Sequence, residues 1–71
     1  MELRDKIREL ATVRGTTFAA IERRTGIANG SIAKWKDGKF PSAEILFRVA
    51  LFLGVSMEEI MWATYGKGVT E

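Results

Sequence analysis

The segment GIANGSIAKWKDG, residues 26–38, decides the fold class of this chain. It contains an Asn-Gly dipeptide at Asn29, and Asn-Gly between alternating apolar and polar residues is the strongest short-range signal for a β-hairpin. That alternation is absent here, and Ile32 and Trp35 are instead three residues apart, which is helical spacing. The segment therefore predicts a helix that has Asn29 in its first turn and extends to about Asp37.

Apolar periodicity and capping residues predict four further helices outside this segment. Thr17, Ser42 and Ser56 are placed as N-caps. The four helices are expected over about residues 3–14, 17–24, 42–53 and 56–65. We therefore predict an all-α, compact five-helix domain over residues 1–65, followed by a flexible C-terminal tail over residues 66–71.

Composition excludes several classes of protein. The 71 residues include no cysteine and no histidine, which excludes disulfides and Cys/His zinc sites. Cysteine and histidine are also the two commonest side chains for catalysis near neutral pH, so both of these are missing. The longest apolar run has seven residues, far short of the roughly 20 that span a membrane. We expect a soluble cytoplasmic protein that is not an enzyme and has no cofactor or metal.

Charge is unevenly distributed along the chain. Residues 14–39 have six basic side chains against Glu22 and Asp37, a net charge of +4, whereas residues 40–71 have a net charge of −2. Such an asymmetry predicts an anionic partner for the basic block. The alternative interpretation is an ordinary solvated surface.

The second and third predicted helices are joined by a short turn at Gly26, which is the arrangement of a helix-turn-helix. Residues 3–62 resemble the phage repressor and Cro-like helix-turn-helix family, which includes the lambda-repressor-like DNA-binding domains. The resemblance rests on TTFAAIERRTGIANGSIAKWKDGKFPS followed by AEILFRVALFLGVSMEEI. Its most specific elements are Gly26-Ile27, Ser31-Ile32, Trp35, Gly38, Pro41-Ser42 and the ending LGVSMEEI.

The resemblance implies that four residues of the third helix contact base edges in the major groove. They are Asn29, Gly30, Ala33 and Lys34. Asn can bond adenine, Lys can donate to guanine, and Ala can touch a thymine methyl, while glycine permits close approach of the backbone. The alternative roles are helix N-capping for Asn29 and simple solvation for Lys34.

The resemblance also implies contacts with DNA phosphates, at the start of the second helix and from nearby polar and basic side chains. The residues concerned are Thr17, the amide of Phe18, Ser31, Lys36 and Lys39. Phe18 stands where the family commonly has Gln, so its side chain either packs on a sugar or joins the core. Glu22 replaces a usual small residue, so either the helices pack differently or Glu22 lies at an edge.

The last predicted helix, which is the usual dimer face of the family, has four large apolar or amphipathic residues. They are Met57, Met61, Trp62 and Tyr65. The alternative is that Trp62 only closes the core.

The resemblance implies a bacterial or phage-encoded transcriptional regulator, a repressor that binds a two-fold symmetric double-stranded DNA operator as a homodimer. The other hypothesis is a protein-interaction module on the same fold, such as an antitoxin or accessory subunit, whose partner binds the apolar last helix. No small-molecule effector is indicated.

Overall fold

Four α-helices and one 3₁₀ turn follow one another along residues 1–69 in a computed structural model. Their bounds are Leu3–Val13 (α1), Phe18–Thr25 (α2), Ile32–Lys34 (the 3₁₀ turn), Ala43–Leu53 (α3) and Met57–Val69 (α4). The structure describes the backbone of residues 1–69 and the side chains of residues 1–66, and this part of the chain contains no strand. The predicted all-α class is confirmed.

Short-range capping explains where the helices begin and end. The hydroxyls of Thr17, Ser42 and Ser56 each accept a hydrogen bond from the backbone N–H three residues further on, at 3.2, 3.3 and 3.0 Å. Each bond satisfies an N–H group that has no acceptor within its helix. Gly26 and Gly54 end α2 and α3 in the left-handed conformation, with φ of 77° and 73°. The predicted N-caps are therefore confirmed.

The described elements share one hydrophobic core. α1 packs against α4 and the 3₁₀ turn, and α2 packs against α3. Every element contributes buried apolar side chains, which are Leu3, Ile7, Leu10, Ala11, Ile21, Ile32, Trp35, Leu46, Val49, Ala50, Leu53 and Ile60. A radius of gyration of 11.5 Å is that of a compact domain of this length.

The predicted third helix is wrong at its start, because Asn29 and Gly30 lie in a turn. The N–H of Ser31 donates to the carbonyl of Ala28 at 3.2 Å, and Gly30 has a φ of 87°. A positive φ at the third residue is the geometry of a type II turn, which favours glycine at that position. Asn29 is therefore neither the N-cap of a helix nor part of its first turn.

The predicted third helix also ends early. Ile32–Lys34 form a single 3₁₀ turn, and the carbonyl of Trp35 then accepts a hydrogen bond from the N–H of Arg4 at 2.9 Å. After Trp35, whose ψ is 70°, the chain leaves the helical path, and Asp37 adopts a φ of 52°. The described residues thus contain four α-helices and one 3₁₀ turn instead of five helices.

The last helix extends beyond its predicted end at Tyr65, since α4 continues to Val69. The sequence predicts Gly66 as the first residue of a flexible C-terminal tail. In the structure it lies within α4 and is buried beneath the indole of Trp62. The remainder of the predicted tail, residues 70–71, lies outside the described residues.

No helix in the described part of the chain is long and apolar enough to cross a membrane. The longest, α4, has 13 residues, against the roughly 20 that a bilayer-spanning helix requires.

Candidate nucleic-acid interface

The four predicted base-contacting residues lie together in the 28–34 segment, which consists of the type II turn and the 3₁₀ turn. These residues are Asn29, Gly30, Ala33 and Lys34, and all four are exposed. Ile32, between them, is fully buried and anchors the segment to the core. The segment therefore presents the four predicted residues to solvent from two successive turns, not from one face of an α-helix.

Glu22 holds this segment in place from α2. Its side chain is only 3% exposed, and its two carboxylate oxygens accept hydrogen bonds from the N–H groups of Gly30 at 3.0 Å and Ile32 at 2.9 Å. Burying a carboxylate is costly unless its charge is met by donors, and here backbone amides meet it. The sequence leaves two alternatives for Glu22, a different packing of the helices or a position at an edge. The structure shows the first, because Glu22 lies between α2 and the 28–34 segment.

The bonds to Glu22 also explain why the segment is not an α-helix. In an α-helix the N–H of Ile32 would donate to the carbonyl of Ala28. Glu22 takes that N–H instead, and the carbonyl of Ala28 accepts from both the N–H and the hydroxyl of Ser31, at 3.2 and 2.7 Å. The N–H groups of Gly30, Ser31 and Ile32 are thus satisfied without α-helical bonds. Sequence reasoning missed this role, since its only signal is an acidic residue close to a turn.

The start of α2 has the features expected of a phosphate contact. Thr17 is exposed, and its hydroxyl oxygen caps the helix while the hydroxyl hydrogen remains able to donate to an anion. The N–H of Phe18 lies in the first helical turn, where no acceptor within the helix exists. The ring of Phe18 packs against the core, beneath the guanidinium of Arg8 at 5.1 Å. Its side chain therefore joins the core.

Ser31 fits a phosphate contact less well than the sequence implied. It is half-buried, and its hydroxyl hydrogen is donated to the carbonyl of Ala28 at 2.7 Å. A phosphate oxygen can only accept hydrogen bonds, so Ser31 has no hydrogen to offer it while the turn is intact. Lys36 and Lys39, by contrast, are both exposed.

The cations of residues 14–39 have no acidic partners in the part of the chain that the structure describes. All six are exposed, and no carboxylate lies within 4.0 Å of any of them; they are Arg14, Arg23, Arg24, Lys34, Lys36 and Lys39. Elsewhere, the four cations whose side chains are described are all within 4.0 Å of a carboxylate, namely Arg4, Lys6, Arg8 and Arg48.

The acids of this block do not offset its surface charge. Of the two, Glu22 is buried and bonded to backbone amides, so only Asp37 is exposed. The block therefore presents six cations and one carboxylate to solvent, a more positive surface than its net charge of +4 suggests.

A first apolar surface lies on α4, at the predicted dimer face. Met61, Trp62 and Tyr65 are exposed, and the ring of Phe40 lies 5.4 Å from that of Tyr65, centroid to centroid. Trp62 is 61% exposed and therefore does not close the core. The fourth predicted residue, Met57, packs against the core instead. Desolvation raises the pKa of the Tyr65 hydroxyl above its ordinary value of 10.0, so this group is neutral at physiological pH.

A second apolar surface, on α3, was not predicted. Phe47, Leu51 and Phe52 are all exposed, and Leu51 is 68% exposed. The signal in the sequence is that only Glu44 and Arg48 are charged among the 11 residues of α3, more apolar residues than one buried face requires. Those two charged residues form an ion pair at 2.7 Å.

Comparisons of the chain with protein-family models, with curated proteins and with solved structures found no match. The class of protein is therefore inferred from its own features. These are an all-α fold, a loop held by a buried carboxylate, an unpaired basic block and two exposed apolar surfaces.

Proposed function

We propose that the protein is a sequence-specific double-stranded DNA-binding transcriptional regulator, a repressor that binds a two-fold symmetric operator as a homodimer. The observation that carries this proposal is the unpaired basic block. Six exposed cations between residues 14 and 39 have no acidic partner among the described side chains, whereas the described cations outside the block are paired. Unpaired cations attract a polyanion and release its counterions on binding.

The 28–34 segment is the proposed base-contacting element. Its 3₁₀ turn has only three residues, so the segment enters the major groove as a loop tip instead of lying along it as a helix. Asn29 is suited to adenine and Lys34 to guanine, while Ala33 offers a methyl group to thymine. Gly30, which has no side chain, allows the backbone to approach the base edges.

Phosphate contacts on both sides of this segment would position it. The N–H of Phe18 and the hydroxyl of Thr17 point to one site at the start of α2, where the helix dipole favours an anion. Lys36 and Lys39 follow the segment in the chain and supply point charges. Such contacts orient a protein on the duplex without reading its sequence.

A dimer is proposed because one short loop makes few contacts with bases. Two loops bound to half-sites about one helical turn apart would provide both affinity and two-fold specificity. The α4 surface, formed by Met61, Trp62, Tyr65 and the adjoining Phe40, is the proposed dimer interface. Aromatic residues of this kind are enriched at the centres of protein interfaces.

The proposal is tested by selection from a random duplex pool at near-physiological salt, followed by titration of the selected duplex. We expect enrichment of a two-fold symmetric site with half-sites about ten base pairs apart. Binding should weaken with salt, with a slope of about −0.9 per neutralised phosphate on a double-logarithmic plot. Recovery of unenriched sequences would contradict the proposed specificity.

The second candidate is a protein-interaction module, such as an antitoxin or accessory subunit. It is favoured by the α3 surface of Phe47, Leu51 and Phe52, which a small DNA-binding dimer formed through α4 does not need. An apolar interface responds little to salt, so the salt dependence of the dominant binding activity separates the two candidates.

A further inference from the structure

We infer that Glu22 is a positioning residue for DNA recognition, one that fixes the base-contacting segment in register with the phosphate-contacting end of α2. This inference rests on the proposed function. Glu22 itself would touch no DNA, because it is 3% exposed and lies beneath the 28–34 segment. Its effect would be transmitted through the backbone of Gly30 and Ile32, to which its two carboxylate oxygens are bonded.

The hydrogen-bond partners of this carboxylate are unusual. A buried carboxylate is commonly paired with a cation. Among the described side chains no cation lies within 4.0 Å of Glu22, although Arg23 and Arg24 follow it directly in the helix and are exposed. The carboxylate is satisfied by backbone donors alone, at 3.0 and 2.9 Å. Its bonds therefore secure main-chain geometry.

The two bonds act on the backbone among the residues that are proposed to contact bases. Gly30 and Ile32 are two residues apart, so the two bonds fix both the position and the direction of the intervening backbone. Asn29 immediately precedes this pair, and Ala33 and Lys34 immediately follow it. A rotation of the Gly30–Ile32 backbone would therefore displace all the side chains proposed to contact bases.

The two bonds connect the helix that carries the proposed phosphate contacts to the loop that carries the proposed base contacts. Glu22 lies in α2, whose first turn provides the proposed phosphate contacts at Thr17 and Phe18. A rigid helix joins those contacts to the carboxylate, and the carboxylate joins the helix to the base-contacting loop. Misplacement of a loop by about 1 Å is enough to lose directional hydrogen bonds to bases. The Glu22 bonds thus determine whether phosphate and base contacts form together.

Glu22→Gln is the direct test, with Asp37→Asn as the matched control. Glutamine keeps the size of the side chain but offers one acceptor oxygen and an NH₂ donor group, so one of the two amides loses its acceptor. Asp37 is an exposed acid of the same basic block, and its side chain has no hydrogen bond or ion pair with the other described side chains. Both variants remove one negative charge, and asparagine tolerates the left-handed backbone at position 37.

The readout is the ratio of affinities for a selected duplex and a random duplex, measured at a temperature where circular dichroism shows each variant folded. We expect the ratio to fall about tenfold or more in Glu22→Gln, the scale of one lost base contact, with binding to random duplex unchanged or stronger. In Asp37→Asn the ratio should stay within about twofold of the wild-type value. The amide NMR signals of Gly30 and Ile32 should shift only in Glu22→Gln.

Each outcome bears on a different claim. A folded Glu22→Gln protein that keeps the wild-type ratio would overturn the positioning role and leave the proposed function intact. A wild-type protein that selects no duplex would overturn the proposed function, and the positioning role with it. If Glu22→Gln does not fold, Glu22→Asp is measured in its place, because aspartate keeps the carboxylate but holds it one methylene further from the segment. An unchanged affinity ratio in a folded Glu22→Asp protein would equally overturn the positioning role.

Discussion

The indole of Trp62 lies over Gly66, one turn further along α4, so closely that a Cβ atom at position 66 would be 2.5 Å from the ring. Real Cβ atoms do not approach other heavy atoms to that distance, so any side chain at position 66 must displace the indole. Gly66 thereby determines the shape of the α4 surface. This relationship gives the first test of the proposed dimer interface.

Gly66→Ala is expected to weaken the homodimer without destabilising the monomer. The new methyl group would push the exposed indole of Trp62 out of its position, while replacing an interior helical glycine gains roughly 0.5–1 kcal/mol of helix stability. Sedimentation velocity measures the dimer, and thermal unfolding at a concentration where the protein is monomeric measures the fold. An unchanged monomer–dimer equilibrium would show that the indole position does not matter for association.

Replacing Trp62 and Tyr65 together by alanine is expected to produce a folded monomer with weak operator binding. Both side chains are exposed, so the core is retained while the aromatic centre of the proposed interface is lost. Leu51→Ala is the matched control, since Leu51 is a large exposed residue on the α3 surface. If Leu51→Ala dissociates the dimer and the α4 double variant does not, the interface lies on α3.

Lys34→Ala and Lys39→Ala are expected to separate base contact from phosphate contact. Loss of Lys34 should cost about 1–3 kcal/mol at the selected site and relax the preference at one base pair. Loss of Lys39 should weaken binding to all sequences alike and lower the salt slope by about one. Titrations against selected and random duplexes at several salt concentrations measure both effects. Identical behaviour of the two variants on both duplexes would contradict the assignment.

Thr17→Ala is expected to lower both the stability of the protein and its affinity for any duplex. The hydroxyl oxygen accepts from the N–H of Ala20 at 3.2 Å, and loss of such a cap costs about 1 kcal/mol of unfolding free energy. The hydroxyl is also a proposed phosphate donor. Thr17→Ser keeps both functions and serves as the control in urea unfolding and DNA titration. Full DNA affinity in a destabilised Thr17→Ala protein would limit Thr17 to capping.

Glu22→Ala is expected to lower the free energy of unfolding by about 2 kcal/mol or more, because two backbone N–H groups would lose their acceptor. Asp37→Asn should change it little, since the side chain of Asp37 is exposed. Urea unfolding of both variants gives the comparison. Equal free energies of unfolding for the two variants would mean that water accepts the two backbone hydrogen bonds as well as the carboxylate does.

The prediction of the third helix was wrong for a reason that the local pattern could not reveal. Ile32 and Trp35 are three residues apart, and this spacing suits a 3₁₀ turn as well as an α-helix. The distinction depends on which acceptor takes the N–H of Ile32, and that acceptor, Glu22, lies ten residues earlier in the chain. The α3 surface was missed because periodicity identifies a buried face without showing what covers the opposite one.

The sequence by itself determined the all-α class, the N-caps at Thr17, Ser42 and Ser56, and the helix ends at Gly26 and Gly54. Each of these features depends on bonds or backbone preferences within about four residues, so adjacent residues suffice to predict it. Only the tertiary structure decided the form of the 28–34 segment and the exposure of the α3 surface. These depend on groups brought together by folding, among them a carboxylate from α2 that accepts two amides across a turn.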